Sequence, residues 1–110
     1  VSLTPPNDAI RDLAAVLGDE ATREVVRLFL DDFPLSIGRL GTGSREEQAR
    51  VAHGLKSSAL HMGALHLSGR MAELESRLGK PGGAVSEADL AGARADFGAI
   101  APLLSTYAGT

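Results

Sequence analysis

The stretch AHGLKSSALHMGALHLSGRMAELE, Ala52 to Glu75, decides the fold. In its first half Ala52, Leu55, Ala59 and Met62, with Val51 beside them, recur at helical spacing and mark one buried side. In its second half Leu67, Met71 and Leu74, continued by Leu78, form a second stripe, with Ser68, Ala72 and Glu75 on its flank. Gly63 interrupts the pattern between them, so the two runs predict a tight helical hairpin over about residues 44–78, the first helix ending near Met62 and the second beginning near Ala64.

The rest of the chain repeats this theme. Upstream, Ser44 followed by Glu47 is a capping-box signature for the first hairpin helix, and Gly41 to Gly43 before it reads as a loop. A helix starting near Asp19 carries Val26, Phe29, Phe33, Ile37 and Leu40 on one stripe. Pro34 lies inside it, removes a backbone donor and predicts a kink or local opening. Earlier still, TPPND is a turn into a short helix, Ala9 to Leu17, stopped by Gly18. Downstream, GKPGGAV is a loop, and Ser86 with Asp89 starts a last helix that includes Leu90, Phe97, Ile100 and Leu104. Strand signals are weak, with three Phe, one Tyr and no Trp. The expected fold is all-α: an antiparallel up-down-up-down four-helix bundle with a short extra N-terminal helix, in one domain over residues 1–110.

Composition narrows the function. Without cysteine there is no disulfide, thiolate zinc site or cysteine nucleophile, which fits a cytoplasmic protein. The net charge of −3 arises from interspersed acids and bases with no basic run, so nucleic acid is not an expected partner. No stretch has the apolar length of a membrane span, and a monomer is the expected state. Val1 in the place of an initiator Met suggests a domain boundary within a longer protein. GKPGG lacks the spacing of a phosphate-cradling nucleotide loop, so no ATP site of its own is expected.

Chemistry concentrates on the first hairpin helix. His53 lies away from the buried stripe, with Lys56 and Ser57 three and four residues on, on the same exposed side. Lys56 is one of two lysines against nine arginines, and its compact, flexible ammonium suits a charge that comes and goes. An ammonium one turn away also favours the neutral, nucleophilic ring. Ala49, Gly54 and Ser57 are small and leave room for an approaching partner, and Leu60 adds apolar surface for docking. A metal site shared with His61 and His66 is disfavoured, because His53 and His61 stand two turns apart and no H-E-x-x-H pattern exists. Hydrolysis through Ser57 or Ser58 lacks an oxyanion hole and a sheltered cleft. A passive helical bundle that docks a partner without being phosphorylated is the remaining alternative.

The same residues strongly resemble the histidine-containing phosphotransfer (HPt) domains of bacterial two-component phosphorelays. Their pattern is roughly H-x-L-K-[GS]-[SA]-[SA]-x-x-x-G-[AL]-x-x-L, met here by His53, Leu55, Lys56, Ser57, Ser58, Gly63, Ala64 and Leu67. The helix LGDEATREVVRLFLDDFPLSIGRL, with its Phe-rich stretch and internal proline, is also similar to the family's preceding helix. The resemblance implies that His53 accepts a phosphoryl group from a receiver phospho-aspartate or a kinase and passes it to another receiver aspartate, using Mg²⁺ held by the receiver. It implies that Lys56 lies near the phosphoryl group, that Gly63 closes the hairpin, and that Glu75 bonds the other ring nitrogen. Ser57 stands where the family often has Gly, and its hydroxyl adds a hydrogen-bonding group. On this reading Leu60, with Pro34 and Ile37 from the preceding helix, forms the docking surface.

Overall fold

A computed structural model describes residues 4–110, so Val1, read above as a domain boundary, lies outside them. Five helices account for the architecture: α1 (Asp8–Leu17), α2 (Asp19–Thr42), α3 (Arg45–His61), α4 (Leu65–Leu78) and α5 (Glu87–Ala108). There is no strand among the described residues. Helix α2 packs on α3 and α5, α4 packs on the same two, and α1 lies against α2 and α3. The four long helices therefore surround one core, in a body of 50 × 22 × 18 Å.

The caps explain where the helices start and stop. Asn7 accepts from the Ile10 amide at the start of α1, and Ser44 accepts from the Glu47 amide at the start of α3. Only this half of the expected box at Ser44 forms. At α5 both halves are present, Ser86 accepting from the Asp89 amide and Asp89 from the Ser86 amide. Asp89 also accepts from Arg77 of α4 at 2.6 Å, and Arg70 donates to Asp96 at 2.7 Å, so two ion pairs tie α4 to α5. Burial works to raise the Asp89 carboxyl, but its bonds to Ser86 and Arg77 outweigh burial and hold it below the usual range.

The expected Gly41–Gly43 loop is corrected, because α2 continues through Thr42. The reason is packing: a methyl group at Gly41 would stand 3.1 Å from Leu90 Cδ1, so that glycine lets α5 approach α2 rather than ending a helix. Pro34 is likewise carried inside an undivided α2, and Pro102, unremarked in the sequence, is carried inside α5.

Aromatic rings join α2 to α5. Phe33 and Phe97 stack with centroids 3.9 Å apart, and Phe29 tilts against both. Ile37 belongs to this core at 3% exposure, which removes it from the expected docking surface. Its helical spacing places it on the buried stripe, and a side chain on that stripe has no face left for a partner. Pro34 is exposed, but it lines a recess with Ile37, Arg94 and Phe97 on the α5 side of α2.

Candidate functional site

The α3–α4 turn sets the geometry of the site. Gly63, with φ of +75°, occupies the left-handed region, its amide bonds Leu60 O at 3.1 Å, and the Ala64 amide bonds Ala59 O at 2.9 Å. This pair of bonds is a Schellman stop, and it reverses the chain within three residues. Asn7 donates to Met62 O at 2.9 Å, and a side chain on Gly63 would overlap the Asn7 amide. The tight turn lays α4 along α3, where Ser68 donates to Lys56 O at 3.0 Å. Glu75, two turns beyond Ser68, is thereby carried alongside His53 and Lys56.

Glu75 joins the two. Its Oε2 lies 2.6 Å from His53 Nδ1, and its Oε1 lies 2.6 Å from Lys56 Nζ. The Lys56 hydrogen bond is the main cause that lowers the Glu75 carboxyl below its ordinary range, burial opposes it, and the His53 bond reinforces it. An ionised carboxylate only accepts, so Nδ1 carries the proton and, in the neutral ring, the lone pair lies on Nε2. The ring is open to solvent, its side chain 64% exposed, whereas Glu75 and Lys56 are about half as exposed, at 30% and 34%. A half-exposed carboxylate therefore holds the Nδ1 edge of an exposed imidazole.

His53 faces a shallow recess of about 480 Å³ lined by Ala49, Arg50, Gly54 and Glu75. A methyl group at Gly54 would meet nothing within 4 Å, so open space adjoins the ring on that side. Ser57 and Leu60 are exposed on the same helix. Leu65, 66% exposed at the start of α4, shares a helical face with Ser68, Ala72 and Glu75. Sequence reasoning passed over Leu65 and Arg50, although the spacing from Leu65 to Glu75 and from Arg50 to His53 carries the signal. Pro34 and Ile37 do not join this group. His61 and His66 are both exposed, and no cluster of three or more His, Asp or Glu side chains suited to a metal ion occurs among the described residues. No helix among them is long and apolar enough to cross a membrane.

The family model of the Hpt domain matches residues 24–105, which takes in α3, α4 and most of α2 and α5. The chain belongs to the Hpt domain family. Domains of this family carry phosphoryl groups in two-component signalling, exchange them with receiver domains and kinases, and have no ATP site of their own. No curated protein and no solved structure matches the chain.

Proposed function

We propose that this protein is a phosphorelay carrier in which His53 reversibly accepts a phosphoryl group on Nε2 from a receiver phospho-aspartate, or from a kinase, and delivers it to another receiver aspartate. One observation carries the reading: Glu75 holds the protonated Nδ1 at 2.6 Å while the opposite edge of the ring lies open.

The charge balance explains why a carboxylate suits that position. The Nε2 lone pair forms the N–P bond, the aspartyl O–P bond breaks, and the receiver carboxylate leaves with the bonding electrons. The Nδ1 proton stays in place, so the phosphorylated ring becomes cationic, and Glu75 opposes that new charge directly. The role parallels that of a carboxylate behind a catalytic histidine, which holds the tautomer and stabilises the imidazolium without taking the proton. Lys56 has three N–H donors and gives one to Glu75 Oε1, which leaves two for phosphoryl oxygens. Mg²⁺ belongs to the partner receiver in this scheme, where it offsets charge on the phosphoryl group in transfer. Ser57 is small enough to leave the approach open and adds a hydroxyl beside it.

The docking surface consists of Leu60 and Leu65, exposed apolar side chains on the helices that carry His53 and Glu75. The supporting frame is an antiparallel up-down-up-down bundle of α2 to α5. Links of two residues between α2 and α3, and of three between α3 and α4, are too short to let successive helices run parallel.

Incubation with phosphorylated receivers tests the function. An acid-labile, alkali-stable phosphate on the wild type that is lost in His53→Gln is the expected result. Absence of label with every competent donor contradicts it.

A further inference from the structure

The phosphoryl site has one charge that does not balance. An incoming phosphoryl group is doubly negative, yet the Lys56 ammonium is already paired with the Glu75 carboxylate at 2.6 Å, so the two together contribute no net charge. Arg50 lies one helical turn before His53, is exposed, and lines the same recess as the ring. Among the described residues it makes no ion pair and no side-chain hydrogen bond. The acids able to compete for it are Glu46 and Glu47 on its own helix, Asp32 on α2 and Glu75 across the recess; Asp32 is engaged by Arg39 at 3.8 Å, and both Glu75 oxygens are taken by His53 and Lys56. Side chains on a helix lean toward its N-terminus, so the His53 ring tilts over the turn that bears Ala49 and Arg50. Glu75 occupies Nδ1, so Nε2 is the ring nitrogen free to take a group, and the ring and Arg50 line one recess.

Resting on the phosphocarrier reading, we infer that Arg50 is a second cation of the phosphoryl site and donates to the oxygens of the group once it is bound to His53 Nε2. A guanidinium fits this task because its planar fork matches two phosphoryl oxygens at once, whereas Lys56 acts as a point charge already shared with Glu75. The site then has an asymmetric division of work. Glu75 fixes the ring at Nδ1, Lys56 divides its donors between Glu75 and the transferred group, and Arg50 gives its whole fork to that group.

The test uses protein phosphorylated with phosphoramidate, which needs no partner, and follows the ³¹P resonance of the phosphohistidine through a pH titration. A nearby cation favours the dianion, so Arg50→Ala should move the titration midpoint upward by roughly 0.3 to 0.7 units, and Arg50→Lys should return most of that shift. In exchange with a receiver, the equilibrium should move toward the aspartate by roughly twofold to fivefold in Arg50→Ala. Thermal unfolding of both variants should match the wild type, because Arg50 has no structural bond to lose. An unchanged midpoint in Arg50→Ala overturns the inference even if receiver transfer slows, since that combination makes Arg50 a docking residue and leaves the phosphocarrier reading intact. A wild type that takes no phosphoryl group at His53 overturns that reading and the inference with it.

Discussion

Nδ1 of His53 and Nζ of Lys56 share one carboxylate, and this arrangement makes separable demands on each residue. Replacing Glu75 by Ala frees the ring and the tautomer, and transfer should fall by roughly 10- to 100-fold, the usual scale for loss of an orienting partner. Glu75→Gln keeps an acceptor for Nδ1–H and should fall less. Equal losses in the two variants would show that the charge of the carboxylate, and not its hydrogen bond to Nδ1, carries the effect. Lys56→Ala removes the donors that the proposed mechanism turns to the phosphoryl group and should slow transfer by roughly tenfold while the bundle stays folded. Stopped-flow transfer with far-ultraviolet circular dichroism separates these outcomes. Acid stability carries a further signature. The folded Glu75 carboxyl lies below its ordinary range, so its contribution is complete above that range and is lost as pH falls through the folded value. Denaturant midpoints of the wild type and Glu75→Gln should therefore converge on acidification. Divergence would reverse the sign.

The α3–α4 hairpin turns on two glycines with opposite roles. Gly63 needs its left-handed backbone and its closeness to Asn7, so Gly63→Val should cost at least about 2 kcal/mol and loosen the turn that delivers Glu75. Gly54 has neither constraint, since a methyl group there meets open space. Gly54→Ala should raise stability by about 0.5–1 kcal/mol through helix propensity, and Gly54→Leu should raise it by a similar or slightly smaller amount while slowing transfer by crowding the approach to His53. Chemical denaturation and transfer rates report both effects. Much of this element was legible in the sequence: Gly63 marked the break, the flank of α4 carried Glu75, and the spacing of Lys56 placed it beside His53. The sharing of one carboxylate was not legible, because it depends on the rotation of α4 about α3, which a one-dimensional pattern does not contain. Gly41 misled for a related reason, since a glycine that admits a neighbouring helix looks the same in sequence as one that ends its own.

At the scale of the whole molecule, the aromatic core and the proposed phosphoryl site lie on different helix pairs. The Phe29, Phe33 and Phe97 cluster joins α2 to α5, while His53, Lys56 and Glu75 sit on α3 and α4. Phe33→Ala should cost about 3–5 kcal/mol, yet the transfer rate per folded molecule should be unchanged. A fall in that specific rate would mean that the aromatic core also shapes the site. The all-helical class and the core stripes were readable from periodicity, and the burial of Ile37 follows from its own stripe. Pro34 and Ile37 are close in sequence, and exposure on the folded surface is what separates the two. The most direct test of the central claim is a long-range ¹H–¹⁵N correlation of the His53 ring before and after phosphorylation. A proton on Nδ1 throughout and the phosphoryl group on Nε2 is the expected result; a phosphoryl group on Nδ1, or a ring that a competent donor leaves unmodified, overturns the phosphocarrier reading.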